Sequence, residues 1–497
     1  MKVDFYKAHN GLPSIKVNGI PLHSSYDPLK EAERAVESAA YKFRPSWIFV
    51  VEPGLSYCAD FFRKKFPDTK LCALRFLKLG VENDLKWDKV IYDSGKDILS
   101  EKIFNCMGDE GVASCFFWTW PASEKIFPDE TKAAWEEIKK VVIKTRNILN
   151  TRSYFAKRWI RNSTRFCLFS HYNAYILKGG IPVIVCASGP SLKSSIEYLK
   201  MYRDFYFLIA VSSALAPLTN EGIIPDLCLS TDGGYWAKLH LEFALKKYNI
   251  PIALSPEAAC YAETLDKHTV VPISYGDGVA EELLSLCNYI NVPAIRNGTV
   301  SGTAADLALN ITTAEVFFCG LDLAPNPGFS HTQPNELEIN GSCSDNRFCT
   351  QETRITPYTF NSPALDIYKA WFSETDFCGR LFRLSNNFNY SNKLGKVYDV
   401  DWNFFRQHIS SELNSKPTVL YIPHEFELKD RIRQLSKSIK DNCMNREWIK
   451  CALPQEQITL ERSSSQEQKK ESLEKIKESM NRFTDEIIRT FDKGLKL

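Results

Sequence analysis

The middle third of the chain repeats one pattern, in which a short apolar run is followed by a small-residue turn and a helical segment. Pro182–Ala187 is apolar, Ser188–Leu192 is a tight turn, and Ser194–Met201 has a helical period. Short apolar runs bounded by glycine and proline are typical of strands buried on both faces. Further strands are predicted at Phe205–Val211, Leu227–Ser230, Pro251–Leu254, Thr269–Ile273 and Glu315–Gly320. This alternation predicts an α/β fold with a central, Rossmann-like, largely parallel sheet.

Two other regions flank this pattern. Asp27–Ser38 has the signals of a helix and Trp47–Val51 those of a buried strand, which predicts a smaller N-terminal α/β domain. Helical periodicity over Pro128–Leu149 leads to a boundary near residue 150. Leu428–Asn445 and Glu467–Leu497 are rich in Lys and Glu and helical in period, so the C-terminal region is predicted to be helical. The expected domains are therefore 1–150, 151–415 and 416–497.

The helical C-terminal region has more than one interpretation from sequence. Its charged faces are typical of helices in contact with solvent. It could pack on the body of the protein, pair with a second copy in a homo-oligomer, or bind another partner. The sequence leaves these alternatives open.

The composition excludes several function classes. Lys and Arg number 62 against 60 Asp and Glu, so the basic surplus of a sequence-independent nucleic-acid binder is missing. Met1–Gly11 lacks the features of a signal peptide, and no apolar run is long enough for a membrane span. The 15 cysteines include no CxxC pair, which disfavours zinc or iron–sulfur ligation and favours buried thiols in a reducing compartment. We therefore expect a cytoplasmic protein without a metal site.

The turn Ser188-Gly189-Pro190-Ser191-Leu192 is the first candidate binding element. A helix N-terminus after a strand presents free N–H groups and a partial positive charge, which suit a phosphate. Gly189 would let a ligand approach the backbone, Pro190 would fix the turn, and Ser191 would donate to the phosphate. Alternatively, Ser191 only caps the helix.

Two further predicted strands end in small polar residues. Ser212 and Ser213 follow one of them, and Asp232 follows another, before Gly233 and Gly234. The carboxyl ends of parallel strands lie at one edge of a sheet, where ligands of such folds bind. Hydroxyls and a carboxylate suit a ribose, a base or a sugar. The alternative for Asp232 is a turn-forming role.

A fourth element is the small-residue loop that opens the predicted helix Asp306–Ile311. It offers further N–H, amide and hydroxyl donors from Asn297, Ser301, Gly302 and Thr303. Alternatively, its small residues serve close packing of the helix on the sheet.

Asp322 and His331 are the remaining candidates for catalysis, together with Asp232. Asp322 follows the predicted strand Glu315–Gly320, and His331 lies in the loop beyond it. A loop histidine can act as general base toward an acceptor hydroxyl; the alternative is an exposed histidine without a role. His23, His171, His240 and His268 have no partners at ligand spacing. HExxH and GxxxxGK[ST] patterns are missing from the sequence, which disfavours a zinc-helix protease and a Walker-type nucleoside triphosphatase.

At these residues the chain resembles the motility-associated factor (Maf) glycosyltransferases. Ile184–Leu192 resembles their glycine-proline-serine-leucine motif, and His331 falls where the family has a histidine. Four other segments are similar to family blocks: Leu22–Ala32, Glu221–Asp232, Ser301–Ala324 and Arg383–Asn387. The central domain also resembles that of CMP-sialyltransferases and of 6-hydroxymethylpterin diphosphokinase-like proteins.

The resemblance implies a function. It implies transfer of a nonulosonic, sialic-like acid, such as pseudaminic or legionaminic acid, from its CMP-activated donor to Ser or Thr hydroxyls of flagellin, as part of flagellar motility. No cofactor besides the nucleotide-sugar donor is required. The CMP phosphate would lie against Gly189–Leu192, with ribose and base near Ser212, Asp232 and Ser301–Thr303. His331 or a nearby carboxylate would remove the acceptor proton.

The sequence also departs from the family pattern. Ala187, Ser301 and Thr303 replace residues of its glycine- and serine-rich blocks, and the Gly-Gly pair expected after Asn386 is missing. Two other functions therefore stay open. One is an ATP-dependent diphosphokinase acting on a pterin-like small molecule, and the other is a non-catalytic nucleotide-binding assembly protein.

Overall fold

The computed structural model describes residues 2–93, 98–324, 329–355, 363–385, 393–409 and 415–494. The chain divides into two compact units. Unit 1 comprises Met1–Ala156 and Met444–Arg482, and unit 2 comprises Lys157–Cys443 and Phe483–Leu497. This division into two units does not test the three domains predicted from sequence, which stay a prediction.

Unit 1 contains two small sheets. The first is antiparallel, and its strands are β1 (Val3–Lys7), β2 (Pro13–Val17) and β3 (Ile20–Pro21). The second is parallel, in the order β6-β5-β4-β7, and its strands are β4 (Trp47–Val51), β5 (Lys70–Arg75), β6 (Lys89–Tyr92) and β7 (Cys115–Thr119). The accompanying helices are α1 (Pro28–Ser38), α2 (Tyr57–Lys65), α3 (Val81–Asp84), α4 (Leu99–Ala113) and α5 (Pro121–Ile126). The N-terminal region thus has the predicted α/β character, with a small parallel sheet.

Local sequence explains why α1 begins where it does. The Asp27 carboxylate accepts hydrogen bonds from the amides of Leu29 and Lys30, both at 3.1 Å, and Pro28 occupies the first turn. These residues satisfy or remove amides that would otherwise lack partners at the helix start. Ala32 and Val36 are buried four residues apart, as expected for the apolar face of a helix.

Unit 2 is built on one large sheet in the order β17-β16-β15-β9-β10-β11-β12-β13-β8-β18, with β14 beside β13. Its strands are β8 (Tyr172–Leu177), β9 (Val183–Cys186), β10 (Phe207–Val211), β11 (Leu227–Ser230), β12 (Ile252–Leu254), β13 (Thr269–Ser274), β14 (Val292–Pro293), β15 (Val316–Cys319), β16 (Leu381–Leu384), β17 (Tyr398–Val400) and β18 (Thr418–Pro423). All the pairings are parallel except that of β18 with β8. The predicted largely parallel central sheet is confirmed.

Helices alternate with these strands along the chain and continue to the end of the described residues. The helix α6 (Pro128–Phe169) precedes β8 and is longer than the predicted Pro128–Leu149. The next ones are α7 (Leu192–Met201), α8 (Leu215–Asn220), α9 (Leu239–Lys247), α10 (Ala262–Lys267), α11 (Gly278–Leu286), α12 (Val300–Ile311), α13 (Glu336–Ser342), α14 (Gln351–Ile355), α15 (Pro363–Glu374), α16 (Trp402–His408) and α17 (Leu428–Asn442). The last three are α18 (Arg446–Ala452), α19 (Pro454–Arg462) and α20 (Gln466–Gly494). Within the described ranges, none of these helices combines the length and apolarity needed to cross a bilayer.

The C-terminal region is helical from α17 onward, as predicted, but it begins with a strand. Strand β18 pairs antiparallel with β8, with Thr418 opposite Leu177. In β18 only Val419 and Ile422 are half-buried and the other four residues are exposed, as expected for a strand at the edge of a sheet. The predicted helical C-terminal region, 416–497, included no strand at this position.

The centre of the sheet positions the candidate site. Strands β15, β9, β10 and β11 are adjacent, parallel and completely buried, with Cys319 opposite Cys186 and Ala210 opposite Cys186 on the other side. Their carboxyl ends therefore follow one another along a single edge of the sheet.

Candidate functional site

The turn after β9 is held against the segment that follows β15. The Gly189 amide donates to the Gly320 carbonyl at 2.9 Å. A Cβ atom on Gly189 would lie 2.5 Å from that carbonyl oxygen and 2.6 Å from Asp322 Oδ2, so only glycine fits without a shift. Gly320 has a φ of 70°, in the left-handed region that favours glycine. Both glycines therefore serve the close approach of two backbone segments.

Asp322 binds Ser191 through both groups that Ser191 can donate. Its Oδ2 accepts the Ser191 amide at 2.9 Å, and its Oδ1 accepts the Ser191 hydroxyl. The Leu192 amide donates to the Gly189 carbonyl at 3.0 Å. A carboxylate at the start of α7 is favourable because the helix end carries partial positive charge. Donors that the sequence assigned to a phosphate thus have protein partners, and the side chain of Ser191 makes no N-cap hydrogen bond.

The loop that carries His331 is anchored to the same turn. The Thr332 amide donates to the Ser188 carbonyl at 2.7 Å, and the Thr332 hydroxyl donates to the Gly189 carbonyl at 2.7 Å. Because His331 directly precedes Thr332 in the chain, these two bonds hold it close to the turn Ser188–Leu192. Its Nδ1 lies 3.1 Å from Ser330 Oγ.

His331 has a lowered pKa. Burial is the largest cause, and positive charge at His240 lowers the pKa further, while the Glu338 carboxylate raises it. A lowered pKa keeps the imidazole neutral near pH 7, which is the form that can accept a proton.

The end of β10 adds hydroxyls beside this turn. The Ser213 hydroxyl donates to Ser188 Oγ at 2.8 Å. Ser188 and Ser212 are buried, whereas Ser213 is half-buried. The structure therefore brings Ser188, Gly189, Ser191, Ser213 and Asp322 together by direct contacts, with His331 joined to them through Thr332.

The end of β11 has a different environment. Asp232 is exposed, and its Oδ1 accepts the Gly234 amide at 2.7 Å, which is the turn-forming role considered from sequence. A Cβ atom on Gly233 would lie 2.5 Å from the Trp159 ring. Burial raises the pKa of Tyr368, and the charge of Asp232 raises it further.

The loop before α12 contacts the same tyrosine. A Cβ atom on Gly298 would lie 3.1 Å from Cε1 of Tyr368, which links this loop to the surroundings of Asp232. Gly302 packs on Asn297, 2.7 Å from its Cγ when a Cβ is built. Ser301 and Thr303 are buried, and the Thr303 hydroxyl donates to the Ile295 carbonyl at 3.3 Å. These residues pack α12 on the sheet, and their role toward a ligand stays a prediction.

Several polar residues near these strand ends had no sequence signal. Arg296 donates to Asp277 at 2.9 Å and to Glu257 at 3.2 Å, and its guanidinium lies 4.4 Å from the ring centre of Tyr275. These partners are far apart along the chain, so spacing could not reveal them. The same holds for His240, which has no partner at ligand spacing but whose Nδ1 lies 2.9 Å from Glu336 Oε2.

Two further predictions concern a metal site and the last block of the family resemblance. Within the described part of the chain, no three His, Cys, Asp or Glu side chains are grouped as they would be around a metal ion. Arg383 of the last family block donates to Asp399 at 2.6 Å and to the Leu321 carbonyl at 3.1 Å. Asn386 and Asn387 lie outside the described residues.

Comparisons with known proteins agree with this architecture. Residues 157–327 match the family described as 6-hydroxymethylpterin diphosphokinase MptE-like. Two uncharacterized proteins of Treponema pallidum (strain Nichols) are similar to this chain. One is 29% identical over 278 residues, covering 54% of this chain and 59% of the relative. The other is 28% identical over 123 residues, covering 23% and 53%. The chain therefore matches somewhat more than half the length of each relative.

A solved structure shares the whole fold. The Maf glycosyltransferase from Magnetospirillum magneticum AMB-1 aligns with a TM-score of 0.53 and 12% sequence identity, covering 99% of this chain and 92% of that one. The predicted resemblance is confirmed at the level of fold: this chain has the Maf fold, with an MptE-like domain at its centre.

Proposed function

We propose that this chain, with its Maf fold and MptE-like central domain, is a glycosyltransferase. Its donor would be a CMP-activated nonulosonic acid, and its acceptors would be Ser or Thr hydroxyls of flagellin in the cytoplasm. One observation carries the proposal: the Thr332 bonds to Ser188 and Gly189, at 2.7 Å each, hold the loop with the half-buried His331 against a hydroxyl-lined sheet edge. In this proposal His331 is the proton acceptor and the nearby hydroxyls are the ligand donors, and the likeness of the fold to a glycosyltransferase supports it.

The donor half of the proposal rests on the hydroxyls at this edge. Ser188 and Ser213 are already 2.8 Å apart and can turn their hydrogens toward a phosphate or a ribose. The Ser191 amide is bonded to Asp322, so hydroxyl donors rather than this amide would meet the phosphate charge. CMP leaves with its own negative charge, and catalysis is then mostly positioning and charge stabilisation.

For the acceptor, the proposal is that His331 takes up the proton of the attacking hydroxyl. The acceptor oxygen attacks the anomeric carbon, the bond between that carbon and the phosphate oxygen breaks, and CMP departs. The hydroxyl proton moves to the imidazole of His331, whose lowered pKa favours the neutral form beforehand. Asp322 would position Ser191, and the exposed Asp232 would contact donor or acceptor hydroxyls.

Calorimetric titration of the full chain with CMP and with ATP tests the nucleotide assignment. We expect CMP to bind and ATP, with or without Mg²⁺, to bind more weakly. Tight, Mg²⁺-dependent ATP binding that is strengthened by a pterin would instead support the diphosphokinase alternative. Binding of neither nucleotide would support a non-catalytic assembly protein.

The transfer itself is tested by the intact mass of flagellin. After incubation with enzyme and CMP-activated nonulosonic acid, flagellin is expected to gain the mass of one or more sugar residues. An unchanged mass with several such donors would contradict the proposed reaction. Pairing of copies through α17 to α20 stays a further proposal, which light scattering of the full chain tests.

A further inference from the structure

Glu336 and His240 form a buried carboxylate–imidazole pair beside the candidate site. His240 Nδ1 of α9 lies 2.9 Å from Glu336 Oε2 of α13, and their side chains are only 7% and 3% exposed. An ionised carboxylate only accepts hydrogen bonds, so the hydrogen resides on Nδ1 of the imidazole. The pair therefore fixes the orientation of His240 and keeps a hydrogen on its Nδ1.

The segment between His331 and Glu336 is anchored at both of its ends. Thr332 is bonded to the turn after β9. Asn335 is fully buried, and its Oδ1 accepts the Leu337 amide at 3.1 Å at the start of α13. Because Glu336 follows Asn335 directly, its bond to His240 ties this segment to α9.

The charges that reach His331 come from both of these helices. Positive charge at His240 on α9 lowers the pKa of His331, and Glu338 on α13 raises it, in addition to the larger lowering by burial. Ser330 contributes a neutral hydroxyl at Nδ1. Glu336 acts through His240, to which it is bonded.

We propose that Glu336 and His240 are a positioning pair for His331, fixing its orientation through the segment 331–336. This inference rests on the proposed role of His331 as proton acceptor. A buried ionic pair costs desolvation energy, and well-packed apolar residues often hold two helices as firmly. An ionic pair at this position thus fits an electrostatic task better than a purely structural one.

The first test measures the titration of His331 by NMR in the full chain with ¹³C-labelled histidine. His331→Gln identifies the signal. We expect His240→Gln to raise the titration midpoint of His331 by about half a pH unit or more, because a positive charge is removed. Glu338→Gln should lower the midpoint, and the matched control His268→Gln should leave it unchanged. An unchanged midpoint in folded His240→Gln protein would overturn the proposal.

The second test addresses Glu336 itself through the ¹⁵N signals of the His240 ring. The wild-type protein should show Nδ1–H, and Glu336→Leu should lose this preference while the His268 signals stay in place. Retention of the Nδ1–H signature in folded Glu336→Leu protein would remove Glu336 from this role.

These readouts do not depend on the reaction. Coupled titration without glycosyl transfer would uphold the pair and reject the proposed function. Glycosyl transfer together with a His331 midpoint that does not respond to His240→Gln would uphold the proposed function and reject the pair. Where transfer is observed, the acidic limb of the kcat/KM profile should move with the NMR midpoint of His331.

Discussion

The two parallel sheets carry very different side chains at their carboxyl edges. In unit 1, Glu52 follows β4 directly and is fully buried. Its Oε1 accepts the Gly54 amide at 3.1 Å, and its Oε2 accepts the amides of Phe76 at 2.6 Å and Leu77 at 2.9 Å. In unit 2, the corresponding edge presents the hydroxyls of Ser188 and Ser213.

Arg75 completes the filling of the unit 1 edge. Its guanidinium lies 3.6 Å from Glu52 Oε1 and donates to Asp84 at 3.1 Å and to Ser56 Oγ at 2.6 Å. Glu52 itself has a φ of 41°, a backbone strain that these bonds offset. The carboxyl edge of the parallel sheet in unit 1 is thus filled by the protein's own charged side chains. The corresponding edge in unit 2 is lined by hydroxyls. The side chain just past the strand decides which one forms.

The largest expected effect is on catalysis, and it is tested by replacing one histidine at each of the two edges. His331→Ala should lower kcat/KM for transfer by about 10²–10⁴-fold, because the proton acceptor is lost. His23 lies at the unit 1 edge, where its Nε2 accepts the Leu55 amide at 2.8 Å. His23→Gln should leave turnover per folded molecule unchanged. Equal losses in both variants, measured in one transfer assay, would erase the distinction between the edges.

Removing Arg75 should be the most damaging change to stability. Arg75→Met leaves the Glu52 carboxylate buried without its cationic partner, at an expected cost of about 3–5 kcal/mol in the free energy of unfolding. Arg63, a half-exposed arginine 3.3 Å from Asp88, is the matched control, and Arg63→Met should cost about 1 kcal/mol or less. Urea denaturation measures both, and similar costs would show that the unit 1 edge is not held by its charges.

At the unit 2 edge, Asp322 tests how much a single carboxylate contributes. Asp322→Ala removes the acceptor of the Ser191 amide and hydroxyl, with an expected loss of about 1.5–3 kcal/mol. Asp322→Asn keeps an oxygen acceptor and should lose less. Urea denaturation of the two variants checks this order; an Asn variant as unstable as the Ala variant would mean that charge, not hydrogen bonding, holds the turn.

The stability of unit 1 should depend on pH through His23. Burial lowers the pKa of His23, an effect that Glu31 opposes. As pH falls below about 6.5, the unfolded chain therefore takes up a proton before the folded chain does, and stability decreases. The contribution of this group is at most about 1.4 kcal/mol per pH unit. His23→Gln should flatten the dependence between pH 7 and pH 5 in denaturation curves, and an unchanged slope would contradict the assignment.

The smallest effect on stability is expected at the hydroxyl pair. Ser213→Ala removes the bond to Ser188 and should cost about 0.5–1.5 kcal/mol, yet it should weaken CMP binding measurably. Ser194→Ala is the control, because Ser194 is exposed and donates to the Ser191 carbonyl on the same helix. If calorimetry gave the same CMP affinity for both variants, Ser213 would not belong to the donor site.

Local sequence patterns sufficed for six strands of the central sheet, β9 to β13 and β15, and for the edge at which their turns meet, whereas β8, β14, β16 and β17 were not predicted. Apolar runs such as Val183–Cys186 and Leu227–Ser230 have the period and length of buried strands, and parallel pairing then places their ends together. The helix α1, predicted over Asp27–Ser38, was equally readable. These features depend only on residues close in sequence.

Contacts between distant residues could not be predicted in the same way. Asp322 occupies donors of Ser191, and Glu336 binds His240, although nothing in the spacing of either pair indicates a contact. Strand β18 was missed because its apolar run, Val419–Ile422, is too short to stand out from a connecting segment. Tertiary pairing, not local propensity, decided each of these cases.

The antiparallel strand β18 has a consequence for how the central sheet is completed. Strand β8 is placed between β13 and β18, so one of its two rows of backbone hydrogen-bonding groups is satisfied only by residues 418–423. During synthesis, every other strand of this sheet emerges before β18 does. Until then β8 is an open edge, available to other chains. A chain shortened before Thr418 would keep that edge exposed, and self-association would be its expected fate.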